Sequence, residues 1–223
     1  MFDTSKSVAN SPSALPDSLS LWELIVEDWN AHGKDWTRPG FRAVAVHRFG
    51  VWRMGIQPRL LRAPFSILYR MWFRKVRNTY GIELPYTVKL GRRVVIEHQS
   101  AIVVHGESEI GDDCILRQGV TLGNRYLDKP LDAPKLGIGV NVGAGAKIFG
   151  NISIGDGSNI GANAVVLHDV PAGATVVGIP AKVIQKSPER SALKDGIDYW
   201  SPMIDVPEYA LSQNGDSEPG ERL

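Results

Sequence analysis

The stretch LGIGVNVGAGAKIFGNISIGDGSNIGANAVV, residues 136–166, decides the fold. Leu136, Val142, Ile148, Ile154, Ile160 and Val166 recur in it at a spacing of six. Four residues after each stands a small or β-branched side chain: Val140, Ala146, Ile152, Ser158, Ala164 and Val170. A helix needs apolar spacing near 3.6 and a plain strand a spacing of two, so neither template fits. A fixed hexapeptide period is the signature of a β-helix, in which short strands alternate with tight turns and successive coils stack. The aliphatic position fills the interior. The small residue after it, as at Gly137, Gly143, Gly155 and Gly161, is expected to let the backbone turn.

The same period runs upstream with two interruptions. Leu90, Ile96 and Ile102 share one phase, whereas Val104, Ile110, Leu116 and Leu122 share another, displaced by two residues. Leu122 to Leu136 is then fourteen residues, which reads as two repeats plus two extra. The segment GNRYLDKPLDAPK, 123–135, carries two prolines and no repeat, and is expected to leave the coil as a loop. Binding and chemistry concentrate on irregular loops held by a rigid scaffold. His98 and His105 flank the first interruption and the loop follows the second, so the site is expected there.

A chain of 223 residues can bury one substantial core with a small appended domain. Its net charge of +1 excludes a strongly electrostatic nucleic-acid binder, and no nucleic-acid partner is expected. The one cysteine, Cys114, falls on a small inward position and can form no internal disulfide, which suits the cytoplasm. No signal-peptide pattern opens the chain, and no window approaches the roughly 20 apolar residues of a spanning helix. A cytoplasmic protein, or one peripheral at the inner face of the membrane, is expected.

Residues 1–17 are polar and read as disordered. Ser18 or Ser20 can cap a helix through Leu21, Leu24, Ile25 and Trp29 that Gly33 ends; Pro39 fits the first turn of a helix over Phe41–Met54. Pro64 starts or kinks a third, Phe65–Tyr80, broken by Gly81. A helical domain over 18–80 is thus expected to cap a β-helix over 81–185, with a short helix and mobile tail over 186–223. Between Arg38 and Arg77 stand ten Lys or Arg residues and no acid, interleaved with aromatics. Such helices can lie on an anionic membrane surface. Alternatively the aromatics pack between helices and against the first coil, leaving the arginines solvated.

Chemistry is suggested by Glu97–His98, at the first phase shift. Histidine is the usual general base toward a hydroxyl, because its pKa lies near neutrality. It needs an acceptor that fixes its tautomer, which Glu83 or Glu97 can supply. Adjacent strand residues point to opposite faces, so Glu83 is the better orienter. The bland alternative is a surface histidine.

The runs GIELPYTVKLGRRVVIEHQSAIVV, IGDDCILRQGVTLG and VNVGAGAKIFGNISIGDGSNIGANAVVLHDVPAGATVVGIPAKVI resemble the bacterial serine O-acetyltransferases. The resemblance covers roughly residues 80–185 and extends more weakly to PGFRAVAVHRF, 39–49. It implies a left-handed β-helix of hexapeptide repeats, acetyl-CoA as co-substrate, a small-molecule hydroxyl acceptor, threefold packing as a homotrimer and no metal. By resemblance, the catalytic histidine falls on His98, preceded by Glu97, and its orienting acid on Glu83, where the family has aspartate. The backbone that receives the pantetheine arm falls on Gly143, Ala144, Gly161 and Ala162, and the segment near the CoA phosphates on Pro180, Ala181 and Lys182.

Departures from the family pattern gather in the acceptor half. The loop over the acceptor has Asp132, Ala133, Pro134 and Lys135 where the family carries Arg-His-Pro-Lys. An arginine that clamps a carboxylate cannot be replaced by an aspartate, which repels it. Arg125 or Lys129 can compensate, and Asn124, Tyr126 and His105 are further acceptor candidates; His105 stands where the family has glycine. The helical domain is short, lacking the helices that pair two trimers, and the last residue is Leu223 rather than the isoleucine by which some members dock onto the next enzyme of cysteine synthesis.

The expected reaction is acetyl transfer to a hydroxyl of serine, in cysteine biosynthesis, or of a sugar, nucleotide sugar or exopolysaccharide precursor. Two other classes compete. A zinc hydratase on the same fold needs about three converging histidines, and only His98 and His105 are well placed. A non-catalytic membrane-surface scaffold would not need the retained motifs.

Overall fold

A computed structural model describes residues 19–184. The expected disordered segment 1–17 and the helix and tail of 186–223 lie outside the described residues.

Three helices come first. The Ser20 hydroxyl accepts from the Glu23 N–H while the Glu23 carboxylate accepts from the Ser20 N–H, and this capping box opens α1 (Leu21–Ala31). Pro39 occupies the first turn of α2 (Pro39–Trp52), where its missing N–H has no intrahelical partner to lose. The third helix, α3 (Arg59–Tyr80), begins before Pro64 rather than at it, so the proline lies inside the helix. Gly81 ends α3 with a left-handed φ of 64°.

The rest is a parallel β-helix of five coils. The first is β1 (Ile82–Glu83), β2 (Lys89–Leu90) and β3 (Val95–Ile96). The second is β4 (Ile102–Val104), β5 (Glu109–Ile110) and β6 (Ile115–Leu116). The third is β7 (Thr121–Gly123), β8 (Lys135–Leu136) and β9 (Asn141–Val142), and the fourth β10 (Lys147–Phe149), β11 (Ser153–Ile154) and β12 (Asn159–Ile160). The last holds β13 (Val165–Val166), a single bridge at Val170, and β14 (Thr175–Val177); β15 (Lys182–Ile184) then returns antiparallel to β14. Stacking gives a prism with face A (β1, β4, β7, β10, β13), face B (β2, β5, β8, β11) and face C (β3, β6, β9, β12, β14).

Every six-spaced aliphatic from Leu84 to Val176 points into one continuous core. Burial of each such side chain contributes roughly 1.5–3 kcal/mol. Cys114 is buried as expected, and burial pushes its thiol pKa up to about 11.

Two expectations need correction. Leu122 and Ile148 are cross-coil partners 26 residues apart, against eighteen for Ile148 and Val166. The segment from Leu122 to Leu136 is therefore one repeat carrying an eight-residue excursion, not two repeats plus two. Nor does the glycine directly after each aliphatic make the turn. The left-handed residues come three after the aliphatic, at Gly139, Gly145, Gly157 and Asn163. Gly143 is small for another reason: a Cβ there would lie 2.6 Å from the Ala162 backbone nitrogen in the next coil.

The helices close the open end of the prism by supplying partners to backbone groups of the first coil. Arg48 donates to the carbonyls of Leu90 and Gly91, and its Nε donates to Asp28 at 2.9 Å. His47 Nε2–H donates to the Val88 carbonyl, and His32 Nε2 accepts from the Ile96 N–H. Gly40 permits this contact, since a Cβ there would collide with the Ile96 carbonyl. Phe49, Trp52, Phe65 and Trp72 pack on one another, and Tyr69 packs on Tyr86 of the first coil. The arginines among them are not all solvated: Arg48 is buried, and the Arg53 guanidinium lies over the rings of both Tyr69 and Tyr86.

Candidate active site

Cross-coil register decides which candidate residues meet. Face C hands over to face A at one edge of the prism, and several candidates lie there. Two residues more than in the next coil separate β3 from β4, and the extra length carries Glu97–Ala101 around this edge. Ser100 and Ala101 take left-handed φ values of 88° and 54°. The bulge is fixed from both sides: Ser100 N–H donates to the Tyr80 carbonyl, and Gly119 N–H donates to the Ser100 carbonyl. His98 stands exposed on it. Glu83 lies on β1, at the start of face A beside Val103, flanked by buried Ile82 and Leu84.

Glu97 is turned elsewhere. Its carboxylate lies 2.6 Å from Arg117, its neighbour in the next coil. Arg117 also donates to Asn141 Oδ1 at 2.5 Å, and Asn141 Nδ2 donates to Asn159. Arg117 was not singled out in the sequence. Its signal was available, because Ile96 and Leu116 share one register and place opposite charges at the positions that follow.

Above Arg117, the same edge carries Gly143–Ala144 and then Gly161–Ala162. The ladder is continuous: Gly145 N–H donates to the Gln118 carbonyl, and Asn163 N–H to that of Ala144. One coil higher, Ala181 N–H donates to the Val165 carbonyl, leaving Pro180–Lys182 at the top. At about 4.8 Å per coil, the path from His98 to Ala181 runs roughly 19 Å. The side chains on this edge are small, and Ala162 is exposed.

The acceptor-loop candidates lie elsewhere, where face A hands over to face B. Arg125 reaches up to the Leu167 carbonyl and stacks over Tyr126, with Lys129 on the same ring. Asn124 Nδ2 donates to the Tyr126 carbonyl. Arg125, Tyr126 and Asp132 line a cavity of about 310 Å³ with Phe149 and Ile152, whereas Ala133 is packed inside. His105 lies beneath the loop root, its N–H on the Leu122 carbonyl and its Nδ1 accepting from Glu107 N–H. The expectation of one site holding His98, His105 and the loop is therefore corrected for a single copy: face A separates the two groups. Among the described residues no three His, Cys, Asp or Glu side chains are grouped to hold a metal ion.

No family model matches the chain. The serine acetyltransferase of Helicobacter pylori strain J99 is 39 % identical over 173 residues, covering 76 % of this chain and 96 % of that protein. That of Synechococcus elongatus is 41 % identical over 153 residues, 67 % of this chain, and the match spans only 58 % of the relative's own length. Among solved structures, serine acetyltransferase from Brucella abortus strain S19 superposes with a TM-score of 0.61 at 28 % identity, covering 73 % of this chain and 68 % of that one. The soybean apoenzyme gives 0.63 at 30 %, with 74 % and 69 % covered. The Brucella enzyme is also known in complex with coenzyme A.

Coils, register and superposition together define an acyltransferase built on a left-handed β-helix of hexapeptide repeats. The chain belongs to the serine acetyltransferase family.

Proposed function

We propose that the protein transfers the acetyl group of acetyl-CoA to the hydroxyl of serine, with His98 as general base. His98 takes the hydroxyl proton as the oxygen attacks the thioester carbonyl. A C–O bond forms, the C–S bond breaks, and the proton passes from the imidazolium to the departing thiolate. Glu83 orients the imidazole. The donor lies along the edge from His98 through Gly143–Ala144 and Gly161–Ala162 to Pro180–Lys182. The alignment of these residues on one edge of the prism carries the reading, together with the kinship to serine acetyltransferases. The relatives do not favour a sugar acceptor or a non-catalytic scaffold.

The working form is a homotrimer. His98 and the acceptor loop sit at opposite ends of face A in one copy, and threefold packing of prisms would bring the loop of one copy to the His98 edge of the next. The enzyme works in the cytoplasm and touches the inner face of the membrane through its basic helices. Among the described residues no helix is long and apolar enough to cross a membrane. The test is free-thiol release from acetyl-CoA with L-serine, sugars and nucleotide sugars in parallel, the product weighed by mass spectrometry. O-acetylserine as the dominant product supports the reading; release only with a sugar overturns it.

A further inference from the structure

A groove between α2 and α3 has no part in the reaction. Its volume is about 520 Å³, and its walls are chiefly Trp36, Phe41, Val46, Trp72 and Val76. Two cations, Arg42 and Lys75, line it as well. Arg42 donates to the Trp36 carbonyl and the Tyr80 hydroxyl, with its guanidinium over both rings. The closest acid in sequence, Asp35, is engaged by Thr37 and Arg38.

The groove continues onto an exposed face of α3. Leu60, Pro64, Ile67 and Met71 follow one another at spacings of four, three and four, and all four are exposed. Leu60 is 85 % exposed and Ile67 61 %. Arg70, Arg74 and Arg77 form a parallel row on one flank, and Trp72 and Lys75 lead into the groove on the other. The helix carries six Lys or Arg residues and no acid. An apolar stripe of this kind marks an interaction surface, and its uniformly positive rim selects an anionic partner. Exposed apolar residues beside a cationic row are how a helix lies in the interface of an anionic bilayer.

We propose that this groove binds an anionic phospholipid from the bilayer: one acyl chain enters between Trp36, Val46 and Trp72, and the headgroup phosphate sits at Lys75 and Arg42. The stripe of α3 lies in the surrounding interface. This rests on the membrane contact proposed above and adds a specific lipid site to it.

The experiment uses the full-length protein with phosphatidylcholine vesicles, with and without phosphatidylglycerol, in low salt. Tryptophan quenching by lipids brominated along the acyl chain reads chain entry. Acetyl transfer in vesicle-free buffer is followed as a check of folding. The site predicts binding that requires phosphatidylglycerol, with quenching of Trp36 and Trp72 that a Trp36→Phe, Trp72→Phe variant loses. Ala45 of α2 also lines the groove, and Ala45→Phe, which fills it, should abolish that quenching while vesicle binding persists. Lys75→Glu should weaken vesicle binding about tenfold through the reversed charge. Binding to phosphatidylglycerol with no chain quenching, or with quenching unchanged in Ala45→Phe, overturns the lipid site and leaves the membrane contact standing. No vesicle binding at all overturns both. A mass that doubles without vesicles and reverts in Ala45→Phe and in Lys75→Glu would show instead that a second copy covers this face.

Discussion

The Glu97 carboxylate and the Arg117 guanidinium lie 2.6 Å apart, stacked in consecutive coils at the edge that carries His98. Both are about 30 % exposed, so the pair contributes no more than roughly 1 kcal/mol. Its consequence is orientational, since it holds Glu97 toward the next coil; in the mechanism proposed above, Glu83 is then the acid that orients His98. Glu97→Gln should therefore change turnover by only about twofold, whereas Glu83→Gln should lower it by roughly tenfold or more, within the range of a general-base system. Steady-state kinetics of the two variants at saturating acetyl-CoA check this order; the reverse order would assign the orienting role to Glu97.

Stability should fall as pH drops below about 6.5, and keep falling toward about 3, because of two buried histidines. His47 is buried with its Nε2–H on a carbonyl, and burial, helped by the neighbouring Arg48 charge, depresses its pKa to about 3. His32 is also depressed, by burial, and its Nε2 accepts a hydrogen bond that protonation would destroy. Both bind a proton more readily unfolded than folded, so their contribution is present above about 6.5 and lost as pH falls. His47 alone should cost on the order of 1 kcal/mol at pH 5.5. Thermal melts from pH 7.5 to 5.5 provide the measurement, and a flat Tm would contradict the burial of these rings.

Arg48→Met should destabilise the fold by about 3–5 kcal/mol, because it leaves Asp28 charged and unpaired inside and orphans two carbonyls of the first coil. Adding Asp28→Leu should recover part of the loss, a non-additivity expected of contacting residues. Urea midpoints of the single and double variants give the coupling.

Six-residue spacing made the prism legible, because each aliphatic from Leu136 to Val166 has one neighbour in the next coil and no other way to be buried. Gly33, Pro39 and Gly81 likewise marked helix ends through backbone restrictions that act locally. Periodicity could not say how many coils the loop after Leu122 consumed, since fourteen residues fit two counts and only the pairing with Ile148 decides. Nor could it show that His98 and His105 occupy opposite ends of face A. Only six residues lie between them in sequence, but the two-residue bulge and β4 carry the chain across the whole face. The inward turn of Arg48 was equally hidden, because a basic residue on an aromatic-rich helix reads as solvated until its carbonyl partners appear.

Serine should bind weakly. Asp132 shares its cavity with Arg125 and Tyr126, so one cation faces one anion before any substrate carboxylate arrives. A KM for L-serine above about 1 mM is expected, beyond the common range. Asp132→Arg should lower it severalfold with little change in kcat. A sub-millimolar KM in the unaltered enzyme would mean that Arg125 or Lys129 already serves the carboxylate.

The central claim is that His98 removes the proton from the acceptor hydroxyl, and it is tested most directly by comparing kcat for L-serine acetylation in the native protein and in His98→Ala, with acetyl-CoA affinity measured by calorimetry on both. Turnover should drop about 10²–10⁴-fold while the affinity for acetyl-CoA stays the same. A His98→Ala enzyme that acetylates serine at near-native rate would contradict the mechanism.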